Sequence, residues 1–507
     1  MLTAKILVPR FQMLMAPNSE LSKLIQEANE LSQTNPEILK LIEKDLNKNG
    51  AEKKLIRLED KRYEDMQQPS FREILQGVKI TAQEVTNLEE GRPRMKSFLV
   101  LVFLLIRGYF GGIKSNPVKT LLAESSSLTI LYHELGEKAP GLSTISENIN
   151  ALSNETRNYI INVQLQSVLK EELDDFKSTT VDSTAISGNS KFPTDSNLLV
   201  DLVARIIKRG SKLNIFGIPN LDLENPKIIQ RKMKSLEVEI AFSLGKKGGA
   251  RKRKKAYKKL LNHANKLHIY FIKELEQIAN PIQKVNLKPS KKLQLLRLTE
   301  LLYQGVEQLK QVSTYCEQRV FEEKKVSIED KVVSLSDKDA GFIVKGQREP
   351  VIGYKPQLGR SKQGFITAFI LPKGNAADSG QFVPLIDDHI NRTTVIPVSV
   401  SSDDGYACKK ARQEIFEKGV KLVSISGSKG KRLIPEEQYN SEEYLDQRNA
   451  RSAVESLMFV LKHKCHFANV MRRGLEEVTA ELLEQVLVYN ILRAVLIRKR
   501  KSEAQRK

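Results

Sequence analysis

The sequence predicts a mixed α/β fold: a mixed sheet flanked by helices, with a helical region ahead of it and a helical insertion after its first strand. Three observations lead there. Residues 1 to 170 are poor in glycine and carry apolar side chains at spacings of three and four, the pattern of amphipathic helices. Strand-like runs rich in β-branched residues appear at 176–182 and again from 331 to 402, with a helical stretch from 193 to 325 between them. From 331 onward strands alternate with helices, which implies a sheet covered on its faces.

Taken in order, Leu21, Leu24, Ile25, Ala28 and Leu31 form the first apolar stripe. Phe98 to Ile106, bounded by Lys96 and Arg107, is the most apolar run. It falls far short of the roughly 20 residues of a membrane-spanning helix and reads as a core helix. Pro117-Val-Lys-Thr-Leu-Leu and Leu142 to Leu152 read as short helices with Ser or Thr starts. The second sets Ser, Glu and Asn on one side against Ile145, Ile149 and Leu152, a division that suits a groove-reading helix and a plain core helix alike. Pro193-Thr-Asp-Ser opens the insertion. The later strands are read at Lys331 to Leu335, Phe342 to Lys345, Phe365 to Leu371, Val395 to Val400 and Val420 to Ile425. Turn residues such as Leu358-Gly-Arg-Ser-Lys-Gln-Gly separate them. Helices are expected from about 376 to 390, after Tyr406, and from 440 to a basic tail, residues 496–507.

The chain has 507 residues, 40% hydrophobic and 28% charged, which argues against a disordered polymer and calls for two to four domains or one domain with large insertions. Its net charge of +21 favours a polyanionic partner, nucleic acid above all. Lys246-Lys-Gly-Gly-Ala-Arg-Lys-Arg-Lys-Lys-Ala-Tyr-Lys-Lys concentrates that charge without a single acid. Arg251, Lys252, Arg253, Lys254 and Lys255 at its centre are read as DNA-backbone contacts, the alternative being a solvated loop tip. Cys316, Cys408 and Cys465 are odd in number and far apart, which excludes a disulfide framework and a paired-cysteine zinc site. His463, Cys465 and His466 follow one another too closely to converge on one tetrahedral ion. The start of the chain shows no signal-peptide pattern. A reducing cytoplasm, and no membrane, is the expectation.

Two aspartates end strand-like runs: Asp182 in Ser-Thr-Thr-Val-Asp-Ser-Thr and Asp403 in Val-Ser-Val-Ser-Ser-Asp-Asp-Gly-Tyr. If the two strands are neighbours, their carboxylates meet. If residues 443 to 463 form one helix, Arg451, Glu455 and Lys462 share a face of it. A helix laid across the sheet then brings Glu455 to the aspartates, with Arg451 and Lys462 beside it to neutralise phosphate. Phosphodiester cleavage needs an activated attacking oxygen on one side of phosphorus and a stabilised leaving oxygen on the other. Two magnesium ions roughly 3.5–4 Å apart supply both, and hard carboxylate oxygens are the ligands magnesium takes. Asp182, Asp403 and Glu455 are therefore the candidate metal ligands, for Mg2+ or, in its place, Mn2+.

With these residues in view, the chain resembles the bacterial insertion-sequence transposases of the DDE class over roughly residues 176 to 495. The resemblance is carried by Val181-Asp-Ser-Thr, Gly374-Asn-Ala-Ala-Asp-Ser, Asp403-Asp-Gly-Tyr and the set Arg451-x3-Glu455-x6-Lys462, which is similar to the YREK signature. Arg448 stands where that signature has tyrosine, with Tyr444 one turn earlier. The resemblance implies an RNase H-like core at 171–192 and 326–495, with the first acid on the first strand, the second after the fourth and the glutamate on a late helix. It also implies a helical DNA-binding domain at 1–170, the insertion with its basic run at 193–325, and a DDE triad of Asp182, Asp403 and Glu455. The implied activity is magnesium-dependent DNA cleavage and strand transfer. Its partners are double-stranded DNA, both the element's terminal inverted repeats and the target, and a homodimer is expected in the synaptic complex. The implied location is the nucleoid of a bacterial cytoplasm.

Other readings accompany this one: an RNase H-like nuclease that cuts without joining, and a non-catalytic nucleic-acid binder derived from a transposase. Asp404 competes with Asp403 for the second position. Asp378 reads as a helix N-terminal acid rather than a ligand. Ser424-Ile-Ser-Gly-Ser-Lys-Gly-Lys-Arg lacks the nucleotide-binding pattern and reads as a DNA-contacting loop.

Overall fold

The computed structural model describes residues 20–66, 95–112, 120, 122, 125–327, 330–345 and 349–506. Of the helix read at Pro117 to Leu122, only Thr120 and Leu122 are described. The rest of that reading lies outside the described residues, as does the start of the chain, where no signal-peptide pattern is seen. The chain divides into two compact units, residues 1–49, 92–190 and 336–507 in the first and 50–91 and 191–335 in the second. No described helix is long and apolar enough to cross a membrane.

The first unit opens with α1 (Glu20–Thr34) and α2 (Glu37–Met66), the latter running on into the second unit, then α3 (Ser97–Phe110), α4 (Ser126–Glu134), α5 (Leu142–Asn150) and α6 (Asn154–Lys170). Leu21, Leu24, Ala28 and Leu31 are buried on α1, and every residue of α3 from Leu99 to Phe110 is buried. On α5 the buried side is Ile145 and Ile149. Strands β1 (Ser178–Ser183) and β2 (Ile186–Ser187) follow.

The chain then enters the second unit, built on α7 (Asp195–Gly210), α8 (Glu224–Phe242), α9 (Gly249–Lys284) and α10 (Pro289–Val320). Thr194 and Asn197 form a capping box that starts α7, as the Pro-Thr-Asp-Ser signal implies. Leu199, Val203 and Ile206 of α7 pack with Leu260, Leu267 and Phe271 of α9 and Leu302 and Leu309 of α10 in one apolar core. The expected strand at 331–335 is absent, since those described residues are turn and coil. Val332 and Leu335 pack against the helical core, and Arg205 donates to the Leu335 carbonyl at 2.6 Å. Helix contacts thus take the backbone and side chains that a sheet would have used.

Back in the first unit come β3 (Gly341–Ile343), β4 (Val351–Tyr354), β5 (Gln357–Ser361), β6 (Ile366–Ile370), α11 (Phe382–Thr393), β7 (Ser399–Ser402), α12 (Lys409–Glu417) and β8 (Leu422–Ile425). They are followed by α13 (Ser428–Leu433), α14 (Glu436–Tyr439), α15 (Glu442–Ala450), α16 (Ser452–Lys464) and α17 (Leu475–Gln505). One sheet has the order β6-β5-β1-β7-β8, and a second, smaller one has β2-β4-β3. In the larger sheet β5 is antiparallel to β1 and β6 to β5, whereas β7 runs parallel to β1 and β8 to β7. β7 is thus the fourth strand of that sheet in chain order, and the fold is mixed α/β with an RNase H-like sheet.

The stretch 358–361, read as turn, is strand. Gly359 stands inside β5 because a Cβ there would lie 2.9 Å from the Ala368 Cβ of β6. The turn begins one residue later and closes at Gly364, whose φ of +93° a side chain disfavours. β7 is shorter than the apolar run that predicts it. Pro397 brings no N–H to a ladder, and Val398 donates to the Lys177 carbonyl at 2.7 Å just before the strand begins.

Val181, Ala368, Val400 and Val423 face one side of the sheet and pack on Phe382, Leu385 and Ile386 of α11 and on Ile415 of α12. α17 packs against α3 and α6. Its Glu484, fully enclosed, accepts from Arg107 Nε at 2.7 Å and Arg157 Nε at 2.9 Å. Burial pushes the Glu484 carboxyl up, but Arg107, Arg157 and Arg472 outweigh it and hold the group below the usual range. A buried charge survives there because it is paired on several sides.

Candidate functional site

Alternation along β1 puts Val181 in the core beneath the sheet and Thr180 and Asp182 on the opposite face. Thr180 and Ser401 face one another across the β1–β7 ladder, their hydroxyls 2.7 Å apart. Two residues farther along each strand stand Asp182 and Asp403, so parallel pairing brings the two carboxylates to the same edge. Asp403 follows β7 and caps a short 3₁₀ turn, accepting from Gly405 N at 3.0 Å. Burial pushes its carboxyl above the usual range, the neighbouring Asp182 charge adds to that, and Lys345 works against it.

Lys345, just past β3, places its ammonium 3.1 Å from Asp182 Oδ1 and 3.0 Å from Ser183 Oγ, and also donates to the Ser183 carbonyl. Asp378, read as a helix N-terminal acid, does start a 3₁₀ turn leading into α11, but it also joins the aspartate pair. Its Oδ2 and the Asp403 Oδ1 both lie 3.0 Å from the point where a Cβ on Gly405 would stand. A side chain at Gly405 would press on both carboxylates, which stand close around that turn. Lys355 lies 2.8 Å from Asp378, and Gln357 Nε2 donates to it at 2.8 Å. Burial pushes the Asp378 carboxyl up, but these two donors more than offset it and leave the group below its ordinary value. Gln357 accepts in turn from the Tyr406 hydroxyl. Asp378, Lys355 and Lys345 are the site residues that sequence reasoning missed. Asp378 carried a signal in the Gly374-Asn-Ala-Ala-Asp-Ser segment, whereas the lysines carried none.

Asp404 is committed elsewhere. Its Oδ1 accepts from Lys429 N and Gly430 N, both at 2.8 Å, and so caps α13. The stretch 424–432, read as a loop, is the end of β8 and this short helix, because Asp404 supplies the acceptor that the free helix N-terminus needs.

The helix read as continuous from 443 to 463 is two helices that meet at Arg451, whose backbone stays helical. They lie over the face that bears Asp182. Gln447 of α15 is 3.4 Å from Ser178 of β1, and Lys462 of α16 donates to the Ala185 carbonyl at 2.8 Å. Arg451 and Glu455 pair at 2.9 Å, with the Glu455 side chain 63% exposed. Lys462 thus reaches the backbone just beyond β1. Tyr444 is fully buried, and its hydroxyl bonds both the N–H and the carbonyl of Ile425. It anchors α15 to β8 and is not presented to a phosphate. Among the described residues, no three His, Cys, Asp or Glu side chains are grouped to hold a metal ion. The geometry brings Asp182 and Asp403 together and leaves Glu455 at the surface of the covering helix.

The aspartate pair suits a divalent cation. Two hard oxygen donors repel one another at the edge of the sheet, and an ammonium already lies against one of them. The basic run is likewise built: it forms the first turns of α9, with Ala256, Tyr257 and Leu260 buried and Arg251, Lys252, Lys254 and Lys255 exposed. Arg253 is half-buried, and Lys254 pairs with Glu323 at 2.8 Å. The run is a helix face, not a loop tip.

An acid on the first strand of an RNase H-like sheet, with a second after its fourth, defines the class of fold to compare. Residues 325–491 match the family model of the transposase DDE domain. That stretch includes Asp403 and Glu455, while Asp182 lies ahead of it. No curated protein and no solved structure matches the chain.

Proposed function

We propose that this protein is a DNA transposase that binds the ends of a mobile element and catalyses magnesium-dependent cleavage and strand transfer, with Asp182, Asp403 and Glu455 as its triad. The observation that carries the reading is the parallel pairing of β1 with β7, which sets Asp182 beside Asp403 at one edge of the sheet. The transposase DDE domain match over 325–491 supports the same class.

In this reading Asp182 and Asp403 hold the divalent ions, two Mg2+ or Mn2+, and Glu455 completes the set from α16. When bound, the ions activate the attacking oxygen and stabilise the leaving one. The chain's own residues prepare the ground. β1 and β7 hold the carboxylates on rigid, hydrogen-bonded backbone, and Asp378, its charge balanced by Lys355 and its oxygen hydrogen-bonded by Gln357, stands beside the Asp403 turn. Lys462 fastens α16 to the end of β1, and Arg451 orients Glu455 through its ion pair. The basic side chains of Arg251 to Lys255, exposed except for the half-buried Arg253, contact the DNA backbone, and the protein acts as a homodimer on paired element ends at the bacterial nucleoid.

The test uses purified protein and labelled element-end DNA. Asp182→Asn, Asp403→Asn and Glu455→Gln are each expected to lower magnesium-dependent cleavage by about a thousandfold or more while leaving end binding intact. Cleavage that survives all three changes overturns the enzyme reading. Joining of the cut ends to target DNA by the unchanged protein separates a transposase from an RNase H-like nuclease. Charge reversal at 251–255 is expected to weaken DNA binding and flatten its salt dependence.

A further inference from the structure

We infer that Lys345 is an internal counter-ion that occupies the cation position beside Asp182 and competes with the divalent metal for it. The inference rests on the metal site proposed above. The two lysines at the site differ in a way that points to this role. Lys355 is nearly enclosed, with its side chain 10% exposed, and it is matched to Asp378, which also accepts from Gln357. It is a fixed part of the wall. Lys345 is 36% exposed and reaches in from β3 to Asp182 Oδ1, Ser183 Oγ and the Ser183 carbonyl. Its charge also opposes the repulsion that Asp403 feels from Asp182.

A magnesium-sized ion binds a carboxylate oxygen at about 2.0–2.1 Å. An ammonium on that same oxygen would then stand within a few ångströms of a double positive charge, which is strongly repulsive. The two occupants therefore exclude each other. Each metal-binding event must first release Lys345 from Asp182, and the apparent affinity falls by the fraction of molecules in which the pair is closed. Lys345 thereby sets the metal concentration at which the site loads, and until then it stabilises two aspartates that repel one another. Being half-exposed, the lysine can swing outward at small cost.

The experiment is Mn2+ binding to the full chain without DNA, read by electron paramagnetic resonance of free Mn2+, so that no turnover is involved. Lys345→Gln is expected to bind Mn2+ about fivefold more tightly than the unchanged protein, the scale of a half-exposed ion pair. Lys355→Gln, which leaves the Asp182 partner in place, is expected to change the affinity less. If thermal melting shows that Lys345→Gln is unfolded, Lys345→Met replaces it with a side chain of similar length. Affinity that is unchanged or weaker in the folded Lys345 variant overturns the counter-ion role. Asp182→Asn separates the two ideas. If it loses Mn2+ while Lys345→Gln gains nothing, only the counter-ion role fails. If it binds Mn2+ as the unchanged protein does, the metal site itself is wrong.

Discussion

The strand-borne and helix-borne halves of the candidate site are held in place by different physics. Asp182 and Asp403 project from neighbouring parallel strands whose ladder fixes their spacing through the backbone. Asp182 is 8% exposed, and burial, with the Asp182 charge adding to it, pushes the Asp403 carboxyl up. Glu455 rides on α16, which Lys462 ties to the Ala185 carbonyl just past β1 and which follows α15, itself anchored to β8 by Tyr444, and its carboxylate faces outward in an ion pair with Arg451. Backbone hydrogen bonds place a side chain within a fraction of an ångström, whereas a surface ion pair contributes only about 0–1 kcal/mol and exchanges readily. The aspartate pair is therefore fixed by the sheet itself, whereas Glu455 is held only by a surface ion pair.

Three measurements break or sharpen that contrast. The largest effect concerns metal binding without DNA. On the proposed metal site, Asp182→Asn or Asp403→Asn is expected to weaken Mn2+ binding by about a hundredfold or more, since loss of an outer-shell partner alone costs about 10- to 100-fold, whereas Glu455→Gln changes it little. Isothermal titration calorimetry decides, and an equal loss in all three variants would show that Glu455 belongs to the preorganised set.

Next comes the acid sensitivity of the strand half. His389 of α11 is buried between Thr367 of β6 and the Phe176 carbonyl just ahead of β1. Burial lowers its pKa from 6.5 to about 4. Between those values the unfolded chain takes up a proton that the folded chain refuses, so stability rises with pH through this window. The contribution is complete above the unfolded value and is lost as pH falls toward the folded one. Urea unfolding is expected to show a loss of roughly 2 kcal/mol from this group between pH 7 and pH 5, flattened in a folded His389→Asn variant. An unchanged slope would remove His389 as a support of the sheet.

The smallest effect tests the helix anchor. Tyr444→Phe leaves the buried Ile425 N–H without its acceptor, and about 1–2 kcal/mol of stability should be lost in chemical denaturation. If Glu455 depends on this anchor, cleavage falls in the same variant while Mn2+ binding holds. If cleavage is untouched, α16 is positioned by Lys462 alone.

Much of this was legible beforehand, for identifiable reasons. The α1 and α3 cores, the start of α7 and the strands bearing Asp182 and Asp403 follow from periodicity, caps and β-branched runs, all of which are local. β5 was hidden because Gly359 looks like a turn residue, when it is there to admit Ala368 across the ladder. The 331–335 run has the composition of a strand, yet its apolar side chains are claimed by the helical core. Among the acids, the spacing before Gly405-Tyr406 favours Asp403 over Asp404 in sequence, and the structure adds the physical difference, since Asp404 caps the amides of α13.

By itself, the sequence determined the fold class, the positions of the two strand-end aspartates, and the basic face of α9, because hydrophobic period and charge density are properties of short segments. Only the tertiary structure decided that β1 lies parallel to β7, that Asp378 and two lysines stand among the acids, and that Glu455 faces outward. Those outcomes depend on which strands share a ladder and on where a helix rests on a sheet, and such long-range choices are made by packing of the whole unit rather than by any one stretch of chain.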